Sequence, residues 1–203
     1  MEGIAQRLIS VLEMLDKQAT LSLNAASGPV GDVIWAFVSD RFVWVPLYLA
    51  IIVLLFVRLG WRRALVALVA LVLTVVACDQ CANLVKYAAC RLRPCHDEWM
   101  LARGLDLLEN AGSPYGFFSA HAANAFGLAV GTTVFFAQEK TAGHGWYALG
   151  IFLWAALVAA SRIFVGKHFL GDVLVGTLAG IILGGVICSL AALLMRRIST
   201  GRS

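Results

Sequence analysis

The chain has 203 residues, 61% of them hydrophobic and only 14% charged, a balance that excludes an ordinary water-soluble domain of this length. Its formal net charge of +4 comes from basic residues scattered through apolar sequence, which sets nucleic acid aside as a partner and suits contact with membrane lipids.

The first segment, 1–28, places Ile4, Leu8, Leu12 and Leu15 at helical spacing, with Glu2, Glu13, Asp16 and Lys17 supplying a polar side. This predicts an amphipathic helix at the membrane surface, forming a collar around the rest. Acidic residues interrupt the continuous apolar core of a secretory signal peptide, so the segment is expected to stay attached.

Five apolar runs follow, near 42–58, 64–86, 118–137, 146–163 and 169–195. Crossing about 30 Å of hydrocarbon takes roughly 20 helical residues, so each run predicts one span. The expected fold is all-α: a single integral-membrane helix bundle over 1–203, in which chemistry must come from helix ends and short loops. Arg58, Arg62 and Arg63 crowd the first turn, Lys140 follows the third span, and Arg196, Arg197 and Arg202 follow the fifth. By the positive-inside tendency these ends are cytoplasmic. The opposite, extracytoplasmic end then holds the amphipathic segment, the 87–117 connection and the 162–168 turn.

In the second run, Asp79, Asn83 and Lys86 share one helical face at i, i+4 and i+7, and ionisable groups at membrane depth point inward. Five cysteines are present, Cys78, Cys81, Cys90, Cys95 and Cys188. Cys78 and Cys81 have redox-motif spacing but lie in a membrane helix, where packing explains them. Cys90 and Cys95 bracket Arg91-Leu92-Arg93-Pro94, a spacing open to a short disulfide if the loop faces an oxidising compartment. The 87–117 connection predicts a short surface helix over 99–108. Its carboxylates Asp97, Glu98, Asp106 and Glu109 read as a solvated face.

The third run opens on Phe118-Ser119-Ala120-His121. Ser119 is placed to cap the helix, whose free N–H groups and dipole form an anion site beside His121. Between the fourth and fifth runs lie Ser161-Arg162 and Gly166-Lys167-His168, then Asp172. His168 and Asp172 are four apart, so the carboxylate can hold one imidazole nitrogen and present the other as nucleophile or base. Arg162 offers a two-pronged donor for phosphate oxygens. Further along, Gly176, Gly180 and Gly184 fall every fourth residue, a spacing that admits close helix approach. Two histidines, a carboxylate and three cations suit phosphoryl transfer. The chain shows no ligand array for a metal, whose work the cations would do, and no cofactor is expected.

These clusters resemble the type 2 phosphatidic acid phosphatase (PAP2) superfamily, whose motifs are Lys-x6-Arg-Pro, Pro-Ser-Gly-His and Ser-Arg-x5-His-x3-Asp. Lys86, Arg93 and Pro94 match the first, and Ser161, Arg162, His168 and Asp172 the third. In the second, Phe118 and Ala120 replace proline and glycine, leaving Ser119 and His121. The resemblance implies a PAP2/haloperoxidase-like bundle in which the N-terminal segment stands in for one spanning helix. It implies that His168 is the nucleophile forming a phosphohistidine, Asp172 its orienting group and His121 the proton donor. Lys86, Arg93, Ser119 and Arg162 would hold the phosphate.

The stretches Arg93–His96 and Tyr115–Asn124 also resemble bacterial members acting on lipid phosphates, which implies a bacterial cytoplasmic membrane and a lipid phosphate substrate. Undecaprenyl diphosphate is the leading expectation, with phosphatidylglycerol phosphate, phosphatidate and lipid A as alternatives. A non-catalytic lipid transporter is the competing reading of another class. The paired broken helices common in transporters are not evident here.

Overall fold

The computed structural model describes residues 2–138 and 143–200. Its helices in chain order are α1 (Glu2–Ala25), α2 (Gly28–Ser39), α3 (Val45–Leu59), α4 (Trp61–Ala89), α5 (Glu98–Leu101), α6 (Ala120–Ala137), α7 (His144–Phe164) and α8 (Leu170–Thr200). Among the described residues, β-pairing is limited to one antiparallel bridge between Leu92 and Tyr115. Also among the described residues, five segments are long and apolar enough to cross a membrane: Arg41–Leu59, Trp61–Ala89, Ala120–Ala137, His144–Phe164 and Leu170–Arg196. They coincide with the five apolar runs. Lys140, Arg202 and the side chain of Arg197 lie outside the described residues.

Helix α6 is the central element, packed against α4, α7 and α8. Half of its span is buried, against 17% of the span containing α3, which faces lipid. The contact of α6 with α8 is nearly backbone to backbone. A Cβ added at Gly180 would lie 2.1 Å from the carbonyl oxygen of Ala123, and Gly176 and Gly184 meet Ser119 and Gly127 in the same way. From mid-bundle to the end bearing Arg58 and Arg196, the core is apolar, built on Leu55, Leu71, Ala129, Phe135, Trp154 and Met195.

At 29 residues, α4 is about 43 Å long, more than the hydrocarbon needs, so its last turns with Lys86 rise toward the head-group region. It ends at Cys90, beyond which the chain runs extended into Pro94. Cys90 and Cys95 are both free thiols, which corrects the idea of a disulfide between them. Cys90 is exposed at the helix end, whereas Cys95 is buried in a cluster with Met100, Leu105 and Phe169. The same cluster shortens the surface helix predicted over 99–108. Helical structure covers only Glu98–Leu101, after which the chain turns at Gly104 and Leu105 drops into the cluster.

The segment predicted over 1–28 is helical and amphipathic as α1, and a further helix, α2, follows it. On α1, Ile4, Leu8, Leu12 and Leu15 stay exposed, while Thr20 and Asn24 are buried against the bundle. From Asp16 onward the polar stripe faces protein, and the apolar stripe faces outward, as a helix lying against lipid requires.

Candidate active site

The turn between α7 and α8 is built to present one imidazole. Helix α7 ends with Ser161, whose hydroxyl donates to the Val158 carbonyl at 2.7 Å, and with the buried Arg162. The chain reverses at Gly166, where φ is +74° and a Cβ would meet the Asp106 carbonyl oxygen at 2.5 Å, so only glycine fits. The N–H groups of Lys167 and His168 both donate to the Arg162 carbonyl at 3.1 Å, closing the turn.

Asp172, fully buried in the first turn of α8, holds three partners. Its Oδ2 accepts from the Phe169 N–H at 3.1 Å, half of a capping box, and lies 3.4 Å from His168 Nδ1. Its Oδ1 receives Nη1 of Arg91 at 2.6 Å. The imidazole contact is long for a hydrogen bond. Burial lowers His168 from the ordinary histidine value to about 4, with Asp172 pulling the other way. The imidazole is therefore neutral at pH 7 and its lone pair is available.

The 91–93 stretch pairs with 114–116 through hydrogen bonds from Arg93 N to Pro114 O (2.8 Å) and from Gly116 N to Arg91 O (2.9 Å). Arg93 is tied by Nε to the Tyr115 carbonyl at 3.1 Å and by Nη2 to Ser113 Oγ at 3.1 Å. Ser119 is fully buried and its hydroxyl accepts the Ala122 N–H at 3.4 Å, the cap expected for α6. Its own N–H donates to the Asp172 carbonyl at 3.0 Å, locking the start of α6 to the start of α8. Asn124 donates to Asp79 at 2.9 Å, which ties α6 to the polar face of α4.

These elements enclose one cavity of about 1270 Å³. Lys86, Arg93, His121, Arg162, Lys167 and His168 line its polar end. Ile51, Leu55, Leu71, Val75, Leu128 and Trp154 line the part that runs down between α3, α4, α6 and α7. Lys86 lies within electrostatic reach of Arg93, Asp79 and Asp172. Two residues of the predicted set stand behind the wall: Ser119 caps α6, and Asp172 contacts His168. Among the described residues, no three His, Cys, Asp or Glu side chains are grouped to hold a metal ion.

The carboxylates of the long connection divide. Glu98 and Asp106 are exposed, but Asp97 caps α5 and pairs with Lys17 at 2.8 Å, and Glu109 enters the site. Glu109 takes Arg162 in a two-pronged ion pair, Nη1–Oε1 at 3.1 Å and Nη2–Oε2 at 3.3 Å, with the hydroxyl of Ser39 from α2 bonded to both residues. A buried guanidinium needs such a partner, which is why Glu109 does not face water. The Nε of Arg162 keeps no hydrogen-bond partner among the described residues and belongs to a side chain on the cavity wall. Sequence reading missed Glu109, Ser39 and Arg91. Only Arg91 carried a signal, since residues two apart on an extended stretch point to one side, and Arg93 was already assigned there.

The profile of the PAP2 superfamily matches residues 63–196. A lipid A 4'-phosphatase of Bacteroides thetaiotaomicron is 31% identical over 175 residues, covering 85% of this chain and 75% of that protein. A lipid A 4'-phosphatase of Porphyromonas gingivalis is 30% identical over 175 residues, covering 86% and 71%. Among solved structures, LpxE of Aquifex aeolicus superposes with a TM-score of 0.59 at 25% identity, covering 85% of this chain and 93% of that one. The transmembrane PAP2-type phosphatidylglycerolphosphate phosphatase of Bacillus subtilis reaches a TM-score of 0.68 over 93% of this chain and 88% of that one. At 18% identity, it is a likeness of fold alone.

Proposed function

This chain belongs to the PAP2 superfamily and is a multi-pass membrane lipid phosphatase, a hydrolase of phosphoric monoesters; from that premise we propose that it removes phosphate from a lipid of the lipid A class through a phosphohistidine on His168. The observation that carries the chemistry is the single cavity on which His121, His168 and the cations Lys86, Arg93 and Arg162 converge above apolar walls. The phosphate sits among the three cations and the first N–H groups of α6, whose cap is Ser119. The free nitrogen of His168 attacks phosphorus, and the lipid oxygen leaves with a proton from His121. Asp172 holds the other nitrogen and balances the charge on the modified ring. His121 then takes a proton from water, the resulting hydroxide attacks phosphorus, and inorganic phosphate leaves as the P–N bond breaks. The apolar length of the cavity takes an acyl chain.

The substrate class is supported by the two lipid A 4'-phosphatases that match most of the chain. Undecaprenyl diphosphate is the second reading. It draws support from Lys167, an additional cation on the cavity wall whose ammonium is held by the Asn110 and Ala111 carbonyls and keeps a third N–H for a second phosphate group. Arg58, Arg62, Arg63 and Arg196 lie at the bundle end opposite His168, which supports an active face on the extracytoplasmic side of a bacterial inner membrane. Phosphate release from purified protein in detergent with chelator, across lipid A, undecaprenyl diphosphate, phosphatidylglycerol phosphate and phosphatidate, tests the substrate. Preference for lipid A is expected, and no turnover of lipid A would overturn the assignment. Labelling of the exposed Cys90 by an impermeant thiol reagent in spheroplasts tests the orientation. Protection of Cys90 until the membrane is opened would reverse it.

A further inference from the structure

The reading of His168 as nucleophile leaves a set of charged contacts behind it unexplained. Three residues at successive turns of α1 reach the frame of the catalytic turn. Asp16 Oδ1 accepts the Gly171 N–H at 2.8 Å and Thr20 Oγ1 accepts the Leu170 N–H at 2.9 Å, supplying two of the free donors at the start of α8. Asn24 donates to the Phe164 carbonyl at 2.8 Å, at the end of α7, and to the Asp106 carbonyl at 2.9 Å, and accepts the Asp106 N–H at 2.8 Å. The turn carrying His168 is thus gripped at both ends by a helix about 150 residues away in sequence.

One contact goes further than the frame. Asp16 Oδ2 receives Nη2 of Arg91 at 2.6 Å, and the other prong of that guanidinium donates to Asp172 Oδ1 at 2.6 Å. Arg91 also lies over the Phe169 ring, 4.3 Å from its centroid. It is not on the cavity wall, so it is not placed to bind the substrate phosphate. Asp172 is fully buried, and a carboxylate there stays ionised only with a charge partner. With Oδ1 fixed by Arg91, Oδ2 is the oxygen left to face His168.

We propose that Arg91 and Asp16 are positioning residues, holding Asp172 so that Oδ2 aims His168 at phosphorus, and that α1 is part of the active-site frame. The inference rests on His168 being the nucleophile. Arg91 acts on the transition state through Asp172, so its loss lowers kcat and spares KM.

A double-mutant cycle in the full-length purified protein tests this with a lipid phosphate release assay. Arg91→Gln lowers kcat about 30-fold with KM within about threefold, and Arg91→Lys restores part of the loss. The near-isosteric Asp16→Asn lowers kcat about fivefold and serves where Arg91→Gln fails to fold. In an Asp172→Asn background, Arg91→Gln costs no more than about a further twofold, because its route is already cut. Full multiplication of the two effects, or a rise in KM with kcat intact, overturns the inference. Full activity in His168→Ala overturns the nucleophile assignment instead, so the two failures are distinguishable.

Discussion

The two ends of the bundle are held by different physics. Toward Arg58 and Arg196, the helices meet through apolar side chains, with Gly131 pressed against Leu71 and Cys188, contacts that tolerate no added volume but carry no direction. At the His168 end, buried polar groups from α1, α2, the 87–117 connection and α8 are cross-linked by hydrogen bonds and ion pairs, each with a fixed partner. The first region sets whether the protein stands. The second sets where a few atoms point. Substitutions should therefore separate, with kcat moving at the catalytic end and unfolding temperature moving at the other.

The largest expected effect is at the proposed nucleophile. His168→Ala should lower phosphate release by about 10⁴-fold or more with little change in the unfolding midpoint in detergent. Measurable residual turnover near the wild-type rate would remove His168 from the chemistry. Next, Arg162→Lys loses the planar fork shared with Glu109 and the free Nε, and kcat should fall about 100-fold. In the opposite region, Gly131→Val drives a side chain into Cys188 and Leu71 of the apolar core. It should destabilise by about 3 kcal/mol, seen as a lower midpoint, with the KM of the surviving folded fraction unchanged. If that variant unfolded normally but lost kcat, the division between the ends would fail.

Smaller effects sharpen the picture. Glu109→Gln keeps a hydrogen-bond partner for Arg162 but removes a negative charge from the proposed phosphate site, so KM should fall about threefold at low salt, with the gain reduced at high salt. The smallest effect is in pH. The folded His168 value of about 4 lies below the unfolded value of about 6.5. The folded state then binds fewer protons than the unfolded one, so stability is undiminished above pH 6.5 and is lost as pH falls from 6.5 toward 4. Across that window the midpoint of the wild type should drop a few degrees more than that of His168→Gln.

Much of this molecule was legible before folding. The five spans follow from apolar runs of the right length, because in a bilayer a continuous apolar run of about 20 residues satisfies its backbone groups within itself only as a helix. The histidines and cations at the span ends were legible as well, since charge at membrane depth points inward and the motif spacing fixes helix faces. Lys86, Arg93, His121, Arg162 and His168 do meet on one cavity. The polar stripe of α1 was visible as a pattern, but periodicity states that a helix has two faces without stating which neighbour each one meets. Only tertiary structure turned Asp16, Thr20 and Asn24 onto the turn that carries His168 and brought Glu109 and Ser39 to Arg162. Those pairings join residues 53 to 155 positions apart. Each exists because a buried charge or a free helix terminus must find a partner, and where that partner lies in the chain is decided by packing alone.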